Sequence, residues 1–232
     1  MTTFHIFTIF PESFKSYFNV SILKRAQKKR IIKIKIYNIR DFAKDKHKTV
    51  DDRPYGGGAG MLMKPLPIIK AVDKIVSKIN RKKMKIIVFS AKGRQFNQKM
   101  AFDWSKKYKD IIMICGRYEG IDERVKNVLK AQEISIGPYV LTDGEIPAMI
   151  LVSGLSRLLP GAIRWDSLQE ESFSGKNIKN EKKGLLEYPQ YTRPDFFKHP
   201  SVGGKKYSVP KVLLRGDHKK ISEWRKKHGK MT

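Results

Sequence analysis

The chain has 232 residues, of which 40% are hydrophobic and 31% are charged. This composition is typical of globular proteins with a buried core, and the length predicts one or two domains. Lysine and arginine total 49 against 22 acidic residues, a formal net charge of +27. Such an excess favours a polyanionic partner such as a nucleic acid, because basic side chains replace the counterions of phosphates. A lysine bias of the whole genome is the alternative explanation.

The chain has a single cysteine, Cys115. It excludes an intramolecular disulfide and a cysteine-based zinc site, and it is typical of a reducing compartment. The apolar residues 1–10 have no basic segment before them and end at Pro11, so we do not expect a signal peptide. No apolar run approaches the ~18 residues of a membrane span. We therefore expect a cytoplasmic protein that does not interact with a membrane.

Predicted strands and helices alternate from the N-terminus to about residue 160. Strands are expected at residues 4–10, 32–36, 86–89, 111–115 and 134–136, which are apolar throughout or alternate apolar with polar residues. Helices are expected from Pro11, from Pro65, through Phe96, Met100 and Trp104, through Val125 and Leu129, and over residues 147–159. This alternation indicates an α/β fold with a mostly parallel sheet that is covered on both faces.

The composition changes after Pro160 and Gly161. Between residues 174 and 184 the only apolar residue is Ile178, which predicts a mobile linker. The last 49 residues, 184–232, contain 12 basic and 4 acidic residues, a net charge of +8. Within them Asp217 is placed to cap a helix that carries Ile221 and Trp224 on one face. We therefore expect a second, small and basic domain.

Several common catalytic motifs are absent from the sequence. There is no phosphate-binding G-x-x-x-x-G-K-[ST], no G-x-G-x-x-G at the first helix, no H-E-x-x-H and no G-x-S-x-G. These absences argue against a P-loop NTPase, a dinucleotide-dependent dehydrogenase, a zinc hydrolase and an α/β-hydrolase. No metal site is predicted.

Three glycine-bearing loops are the most informative segments. Residues 51–61 contain four glycines together with Arg53, which can contact phosphate, and Tyr55, which can stack on a base. A plain surface linker is the alternative for this loop. Residues 115–124 and 135–147 each follow a predicted buried strand. Ligands of parallel sheets bind beyond the carboxyl ends of the strands, so these two loops are candidates for a binding pocket.

The chain carries a series of motifs in a characteristic order. They are Phe10-Pro11-Glu12, residues 51–63, 116–125, 135–147, 156–161, 171–173, 184–189, 191–194 and 209–216, followed by His218, Ile221, Trp224 and Arg225. In this order, over nearly the whole chain, they resemble the TrmD family of bacterial tRNA (guanine-N1)-methyltransferases, which belong to the SPOUT class of knotted methyltransferases.

The resemblance implies an architecture and a cofactor. A knotted domain with a deep trefoil knot would span residues 1–161, a flexible linker 162–184, and a basic helical tRNA-binding domain 185–232. An obligate homodimer, with its active site at the subunit interface, would bind S-adenosyl-L-methionine in a bent form. By position, the cofactor contacts would be Phe89, Ser90, Gly116, Tyr118, Glu119, Ile136, Gly137, Pro138, Tyr139, Val140, Leu141, Gly144 and Pro147.

The implied reaction moves a methyl group to N1 of guanosine 37 in the tRNA anticodon arm. This nitrogen carries a proton, so the site needs a general base near N1 and a cation near O6. Glu171 matches the family's carboxylate base, with Glu170 as an adjacent competitor, and Arg157 matches its charge-stabilising arginine. Asp51 and Arg53 match positions that organise the substrate guanosine. Arg193, together with Lys198, Lys205 and Lys206, would bind the backbone of the anticodon arm.

The sequence departs from the family pattern at several positions. Asp143 replaces a glycine that is usual in the family, and Pro138 replaces an acidic residue. Ala91 replaces a proline, and Gln190 replaces a histidine.

Two alternative functions are considered. One is that of a ribose 2′-O-methyltransferase of the same knotted class, which needs no carboxylate beside a guanine, and the other is that of a non-catalytic RNA-binding protein. The second explains the charge but leaves the pocket-forming loops without a role.

Overall fold

The computed structural model describes residues 1–169, 171–173, 185–200 and 203–231. The chain divides into two compact units, Met1–Trp165 and Asp166–Thr232. The linker predicted over residues 162–184 lies partly outside the described residues, which exclude 170 and 174–184.

A parallel sheet forms the centre of the first unit. Within the described residues it has five strands in the order β2-β1-β6-β5-β7, and every neighbouring pair is parallel. The strands are β1 (Thr2–Thr8), β2 (Ile32–Asn38), β5 (Met84–Gln95), β6 (Asp110–Ile114) and β7 (Gln132–Ser135). A short antiparallel pair, β3 (Asp51–Asp52) and β4 (Leu62–Met63), lies apart from this sheet. The predicted mixed α/β fold with a mostly parallel sheet is confirmed.

The helices predicted for the first unit are present, and α2 (Ser21–Lys28) is a further helix that the sequence did not indicate. The others are α1 (Lys15–Phe18), α3 (Pro65–Val76), α4 (Gln98–Lys107), α5 (Glu123–Leu129) and α6 (Glu145–Ser156), with 3-10 turns at Pro11–Phe14, Ile39–Phe42 and Arg81–Lys83. Asn97 caps α4 and Asp122 caps α5, each accepting a backbone N–H at 2.9 Å. Pro65 occupies the first position of α3, where its missing N–H is not needed.

The core has two layers, one on each face of the sheet. One layer packs Phe4 and Ile6 of β1 with residues of α1, α2, α4 and α6. The other packs Phe7 of β1 with residues of α3 and α5. Because successive side chains of a strand point to opposite faces, a sheet that is covered on both sides requires strands that are apolar throughout.

The structure differs from the predicted elements at β5 and α6. β5 extends to Gln95, beyond the predicted residues 86–89, because it pairs with β7 twice: Ile134 is the partner of Phe89 and then of Arg94. Residues 90–93 lie between these two pairings as a bulge. α6 begins at Glu145 and not at Pro147, because the carboxylate of Asp143 accepts the N–H groups of Glu145 and Ile146.

The second unit contains helices and short strands. They are α8 (Lys211–Leu214), α9 (His218–His228), the antiparallel pair β8 (Leu185–Leu186) and β11 (Lys230–Met231), and the antiparallel pair β9 (Phe196–Lys198) and β10 (Lys206–Ser208). A further helix, α7 (Trp165–Gln169), spans the boundary between the units. As predicted, Asp217 caps α9, accepting the N–H of Lys220 at 3.1 Å. The sequence analysis did not predict the strand pairs, which are too short to show a period.

The ring of Trp224 on α9 contacts those of Tyr188, Tyr191 and His228, so aromatic contacts organise the second unit.

No helix within the described ranges is long and apolar enough to cross a lipid bilayer.

Candidate functional site

A cavity of about 480 Å³ lies in the first unit, where β5, β6 and β7 end or bulge. Its size is within the ~300–1,000 Å³ of small-molecule sites. Its position at the carboxyl ends of parallel strands is the one that the sequence analysis predicted for a ligand.

The residues expected to contact a cofactor come together around this cavity. From the predicted set, the lining includes Phe89, Ser90, Gly116, Tyr118, Glu119, Ile136, Tyr139, Val140, Leu141, Gly144 and Pro147. Gly137 and Pro138 belong to the same loop, but they are not among the lining residues. Gly137 instead fixes the loop, because Ser135 Oγ accepts its N–H at 3.2 Å and donates to its carbonyl oxygen at 2.8 Å.

The loop after β6 is held against the glycine-rich hairpin of residues 51–63. Backbone hydrogen bonds join Glu119 N to Met61 O (3.0 Å), Met63 N to Gly120 O (2.9 Å) and Asp122 N to Met63 O (3.1 Å). Two of the three loops singled out in the sequence therefore form one structure. Gly60 belongs to this junction, because a Cβ on it would lie 2.5 Å from Cγ of Glu119.

The loop after β7 is held against the end of β6 by Gly144. Its N–H donates to the carbonyl oxygen of Gly116 at 3.0 Å. A Cβ on Gly144 would lie 2.6 Å from Cα of Cys115 and 2.7 Å from N of Gly116. These are backbone atoms that cannot rotate away, so a glycine is required where the two loops that line the cavity meet.

The bulge of β5 forms another wall of the cavity, with Ser90, Ala91 and Lys92 in the lining. Gly93 closes the bulge against β7, since a Cβ there would lie 2.6 Å from both C of Glu133 and N of Ile134. This bulge was not predicted from the sequence. The only available signal was an isolated glycine after an apolar strand, which often marks a bulge.

Four charged side chains of the lining connect the bulge to α5 and β7. Lys92 Nζ lies 3.3 Å from Glu123 Oε2 and 3.4 Å from Glu133 Oε1. Lys126 contacts the same two carboxylates, with Nζ 3.1 Å from Glu133 Oε2. The charges of two lysines and two glutamates therefore balance one another beside the cavity; Lys92 and Glu123 are mostly exposed, so these pairs add little stability.

A buried carboxylate, also missed by the sequence analysis, anchors both cavity loops from behind. Glu145 is 1% exposed. It accepts a hydrogen bond from the hydroxyl of Thr8 and another from Arg117 Nε at 3.1 Å. The Arg117 guanidinium also lies 4.5 Å from the ring centre of Phe10 and 3.8 Å from Asp143. Arg117 therefore links the end of β1, the loop after β6 and the start of α6.

The pKa values of this cluster follow from burial and pairing. Burial raises the pKa of Glu145, against the opposing hydrogen bond from Thr8 and the charge of Arg117. Partial burial acts in the same direction on Asp143, but hydrogen bonds from Ile146 N–H and Thr142 hold the pKa of Asp143 below its ordinary value. Burial also raises the pKa of the Cys115 thiol far above its ordinary value. Cys115 is therefore a packing residue and not a nucleophile.

Arg157, the predicted charge-stabilising residue, does not line the large cavity. Arg157 caps the C-terminal end of α6 and lines a smaller cavity of about 190 Å³ with Tyr17 and Ser153. Gly144, which lines the large cavity, precedes the first residue of α6. The twelve residues of α6 span ~18 Å and separate it from Arg157. Glu171 belongs to the second unit and is 9% exposed. Glu170, its competitor as base, lies outside the described residues.

Of the residues predicted to contact tRNA, Arg53 and Arg193 are exposed and Asp51 is half-buried. Asp51 begins the short strand β3, and Arg53 is exposed in the loop that follows it. In this loop Tyr55 is also fully exposed, and Gly56, Gly57 and Gly58 have positive φ angles. Arg193 is exposed in the second unit. The structure therefore leaves these basic and aromatic side chains accessible to a large ligand.

Comparisons with known proteins identify the family of this chain. The family model described as tRNA (Guanine-1)-methyltransferase TrmD matches residues 2–232. A protein of Dictyoglomus turgidum named tRNA (guanine-N(1)-)-methyltransferase is 53% identical, over 98% of this chain and 84% of its own length. Proteins of the same name from Clostridioides difficile and Carboxydothermus hydrogenoformans are 52% and 50% identical. They match over 96% of this chain and over 90% and 80% of their own lengths. The chain therefore belongs to the TrmD family of tRNA (guanine-1)-methyltransferases.

Proposed function

We propose that this protein transfers a methyl group from S-adenosyl-L-methionine to N1 of guanosine 37 in tRNA. The observation that carries the proposal is the cavity at the carboxyl ends of the parallel strands, lined by the loops that hold the family's motifs. Methylation of guanine N1 in tRNA is the activity named for three relatives that are at least 50% identical. The cytoplasm, where tRNA is made and used, would be the place of action.

The residues around the cavity fit S-adenosyl-L-methionine. Ile136, Leu141 and Pro147 offer apolar surface to a flat ring, and the loops offer backbone N–H and carbonyl groups to polar atoms. The carboxylate of Glu119 offers a partner to a cationic group. When bound, the cofactor supplies a methyl group on a positively charged sulfur. Gly137 and Pro138 would support the loop that holds it.

The proposed roles of Glu171 and Arg157 follow from the chemistry of guanine. N1 of guanine carries a proton and is a poor nucleophile until that proton is removed. Glu171 would accept it, and its low exposure keeps competing water away from the carboxylate. Arg157 would stabilise the negative charge that then gathers on O6. Asp51 and Arg53 would hold the guanosine and its neighbouring phosphates.

A homodimer with the active site at the subunit interface is part of the proposal. Ile146 and Ile150 are four residues apart on α6 and are 46% and 41% exposed, so this helix presents an apolar stripe away from its own core. Tyr17 and Val20, also exposed, lie close by, since Tyr17 donates to Ser153 of α6 at 3.1 Å. A second copy would cover this surface. It would also bring Arg157 of one subunit to the cavity of the other.

The finer architecture belongs to the same proposal. A deep trefoil knot would account for the close packing of Gly144 against the end of β6, since one loop would then pass through the other. The knotted domain would span residues 1–161 and a flexible linker 162–184. Residues 185–232, with their positive charge and Arg193, would bind the anticodon arm.

A nucleoside analysis tests the proposed function. The protein is incubated with S-adenosyl-L-methionine and an unmodified tRNA transcript that carries guanosine 37. The RNA is then digested, and its nucleosides are separated by chromatography with mass detection. We expect 1-methylguanosine from this transcript and none when guanosine 37 is replaced by adenosine. A 2′-O-methylated nucleoside, or product from the adenosine transcript, would overturn the proposal.

A further inference from the structure

We propose that one face of the β9–β10 hairpin, formed by Phe197 and Tyr207, stacks on an unpaired base of the RNA substrate. The inference rests on the proposed function and deepens it. It assigns to this hairpin the recognition of a single-stranded part of the tRNA, in addition to backbone contacts by lysines.

The two rings stack on one another. Phe197 and Tyr207 are directly paired across the two strands. Their ring centres lie 5.5 Å apart with an angle of 18° between the planes. Both rings are accessible, Phe197 being 52% and Tyr207 39% exposed. The ring surface that this pair leaves exposed offers the flat apolar area on which a nucleobase stacks.

The opposite face of the hairpin is less open to the same contact. Phe196 is as exposed as Phe197, but Lys206 places its Nζ 4.0 Å from the centre of the Phe196 ring. An ammonium group at this distance makes its own cation–π contact with the ring and competes with a base for it. On the Phe197 face, Lys205 Nζ lies farther from the Tyr207 ring, at 5.8 Å. Lys205 would therefore compete less for the ring, and its ammonium group could pair with a phosphate of the bound RNA.

The charge around the rings favours RNA over a protein as the occupant. Residues 195–208 contain three lysines, Lys198, Lys205 and Lys206, and one acidic residue, Asp195. Residues 184–232 as a whole carry a net charge of +8. A two-stranded hairpin cannot bury both of its faces by itself. Aromatic rings set among lysines are the combination that binds single-stranded nucleic acid.

Binding to two RNAs by the full-length protein tests the inference. One RNA is a fluorescein-labelled hairpin that reproduces a tRNA anticodon stem and loop. The other is the same stem as a duplex without unpaired bases. Fluorescence anisotropy then gives the dissociation constants over a series of salt concentrations. For Phe197→Ala we expect at least about fivefold weaker binding of the loop RNA, because stacking on an aromatic ring contributes that much or more per base. Binding of the duplex should not change.

Matched variants separate stacking from charge and from misfolding. Phe196→Ala, on the opposite face, should change the affinity for loop RNA less than twofold. Phe197→Trp should restore it, whereas Phe197→Leu should not. Lys205→Ala should weaken the binding of both RNAs, and the salt dependence of the dissociation constant should fall by about one counterion. Phe197→Ala should leave that salt dependence unchanged. Unaltered circular dichroism and cofactor affinity show that each variant is folded.

Three results would overturn the inference: equal effects of Phe197→Ala on both RNAs, full rescue by leucine, or a change in the oligomeric state of the RNA-free protein on Phe197→Ala. The last would indicate a protein partner on this face. The proposed function is judged separately, by formation of 1-methylguanosine by the unaltered protein. If the product forms but Phe197→Ala binds loop RNA normally, only the stacking inference fails. If no product forms, the proposed function fails whatever the anisotropy shows.

Discussion

Gly144 is the residue at which the smallest change should have a large effect. A methyl group there would collide with backbone atoms of Cys115 and Gly116. We expect Gly144→Ala to destabilise the first unit by about 1–3 kcal/mol, because overpacking against fixed atoms must shift the backbone. Cofactor affinity should fall with it, since these loops line the cavity. Urea unfolding and isothermal titration with S-adenosyl-L-methionine measure the two effects.

Gly154, on the same helix, is the matched control. A Cβ there would meet only Phe96, at an ordinary distance of 3.6 Å. Because alanine loses less conformational freedom than glycine in a helix, Gly154→Ala should stabilise the protein by about 0.5–1 kcal/mol. Cofactor affinity should not change. Equal effects of the two substitutions would show that the contact between the loops does not need a glycine at position 144.

Glu171 is the residue on which the proposed chemistry depends. We expect Glu171→Gln to lower kcat by about 10²–10⁴-fold, the usual contribution of a general base, with little change in cofactor affinity. Glu171→Asp should keep part of the rate, because it retains the carboxylate. Single-turnover methylation of the tRNA transcript measures both. Glu170→Gln is the control; if it loses the activity and Glu171→Gln does not, the base is the neighbouring residue.

At the scale of elements, a buried polar network joins three strands of the sheet. His5 of β1 is 3% exposed. Its Nδ1 lies 3.1 Å from the hydroxyl of Tyr37 on β2, and its Nε2 lies 3.1 Å from the carboxylate of Asp110 on β6. Burial lowers the pKa of His5 below its ordinary value of 6.5, and Lys35 acts in the same direction. The opposing hydrogen bond and charge of Asp110 do not reverse the shift. The neutral ring therefore donates to Asp110 and accepts from Tyr37.

This network makes stability depend on pH in a defined direction. Because the pKa of His5 is lower in the folded chain, the unfolded chain takes up the proton first as the pH falls below 6.5. The stabilisation is therefore complete above that pH and is lost as the solution becomes more acidic. We expect His5→Gln to flatten the curve of unfolding free energy against pH in this range, as measured by urea unfolding. Replacement of the exposed His199 by glutamine should leave the curve unchanged.

The sequence predicts the elements of this fold better than their junctions. Apolar runs such as Ile111–Ile114, and the prolines at helix starts, act locally, so the five strands of the central sheet and most helices of the first unit were predicted. α2 and the short strand pairs were not predicted. The bulge at Ser90–Gly93 arises from pairing with β7, some forty residues away, and leaves no local period. The Arg117–Glu145 contact was missed for the same reason, since residues 28 positions apart meet only after folding.

The loops of the candidate site were predictable from the sequence, but the roles of its individual residues were not. The cavity loops were identified from glycines after buried strands together with a family resemblance. Periodicity alone could not assign a role to Glu171 or Arg157, because a charged residue in a polar segment resembles any solvated one. The close contact of Gly144 with the end of β6 could not be read from the sequence either, because it depends on the path of the whole chain.

At the scale of the whole molecule, the exposed stripe of α6 should decide the oligomeric state. We expect Ile150→Glu to convert a dimer into a monomer in sedimentation velocity experiments, because a carboxylate would have to be buried in the apolar interface without a partner. Leu66→Glu is the matched control. Leu66 is more exposed than Ile150, and it lies on α3, which packs on the opposite face of the sheet. It should leave the dimer intact. A monomeric unaltered protein would contradict the proposal.

If two subunits share each active site, two inactive variants should restore each other. Arg157→Ala removes the proposed charge-stabilising residue, and Ile136→Arg fills the cavity; each homodimer should be inactive. In a mixed dimer one active site contains both substitutions. The other combines an intact cavity from one subunit with an intact Arg157 from its partner. Random exchange of equal amounts gives mixed dimers in half of the molecules, each with one working site. The expected activity is therefore about one quarter of that of the unaltered protein. If each chain carried a complete site, mixing would restore nothing.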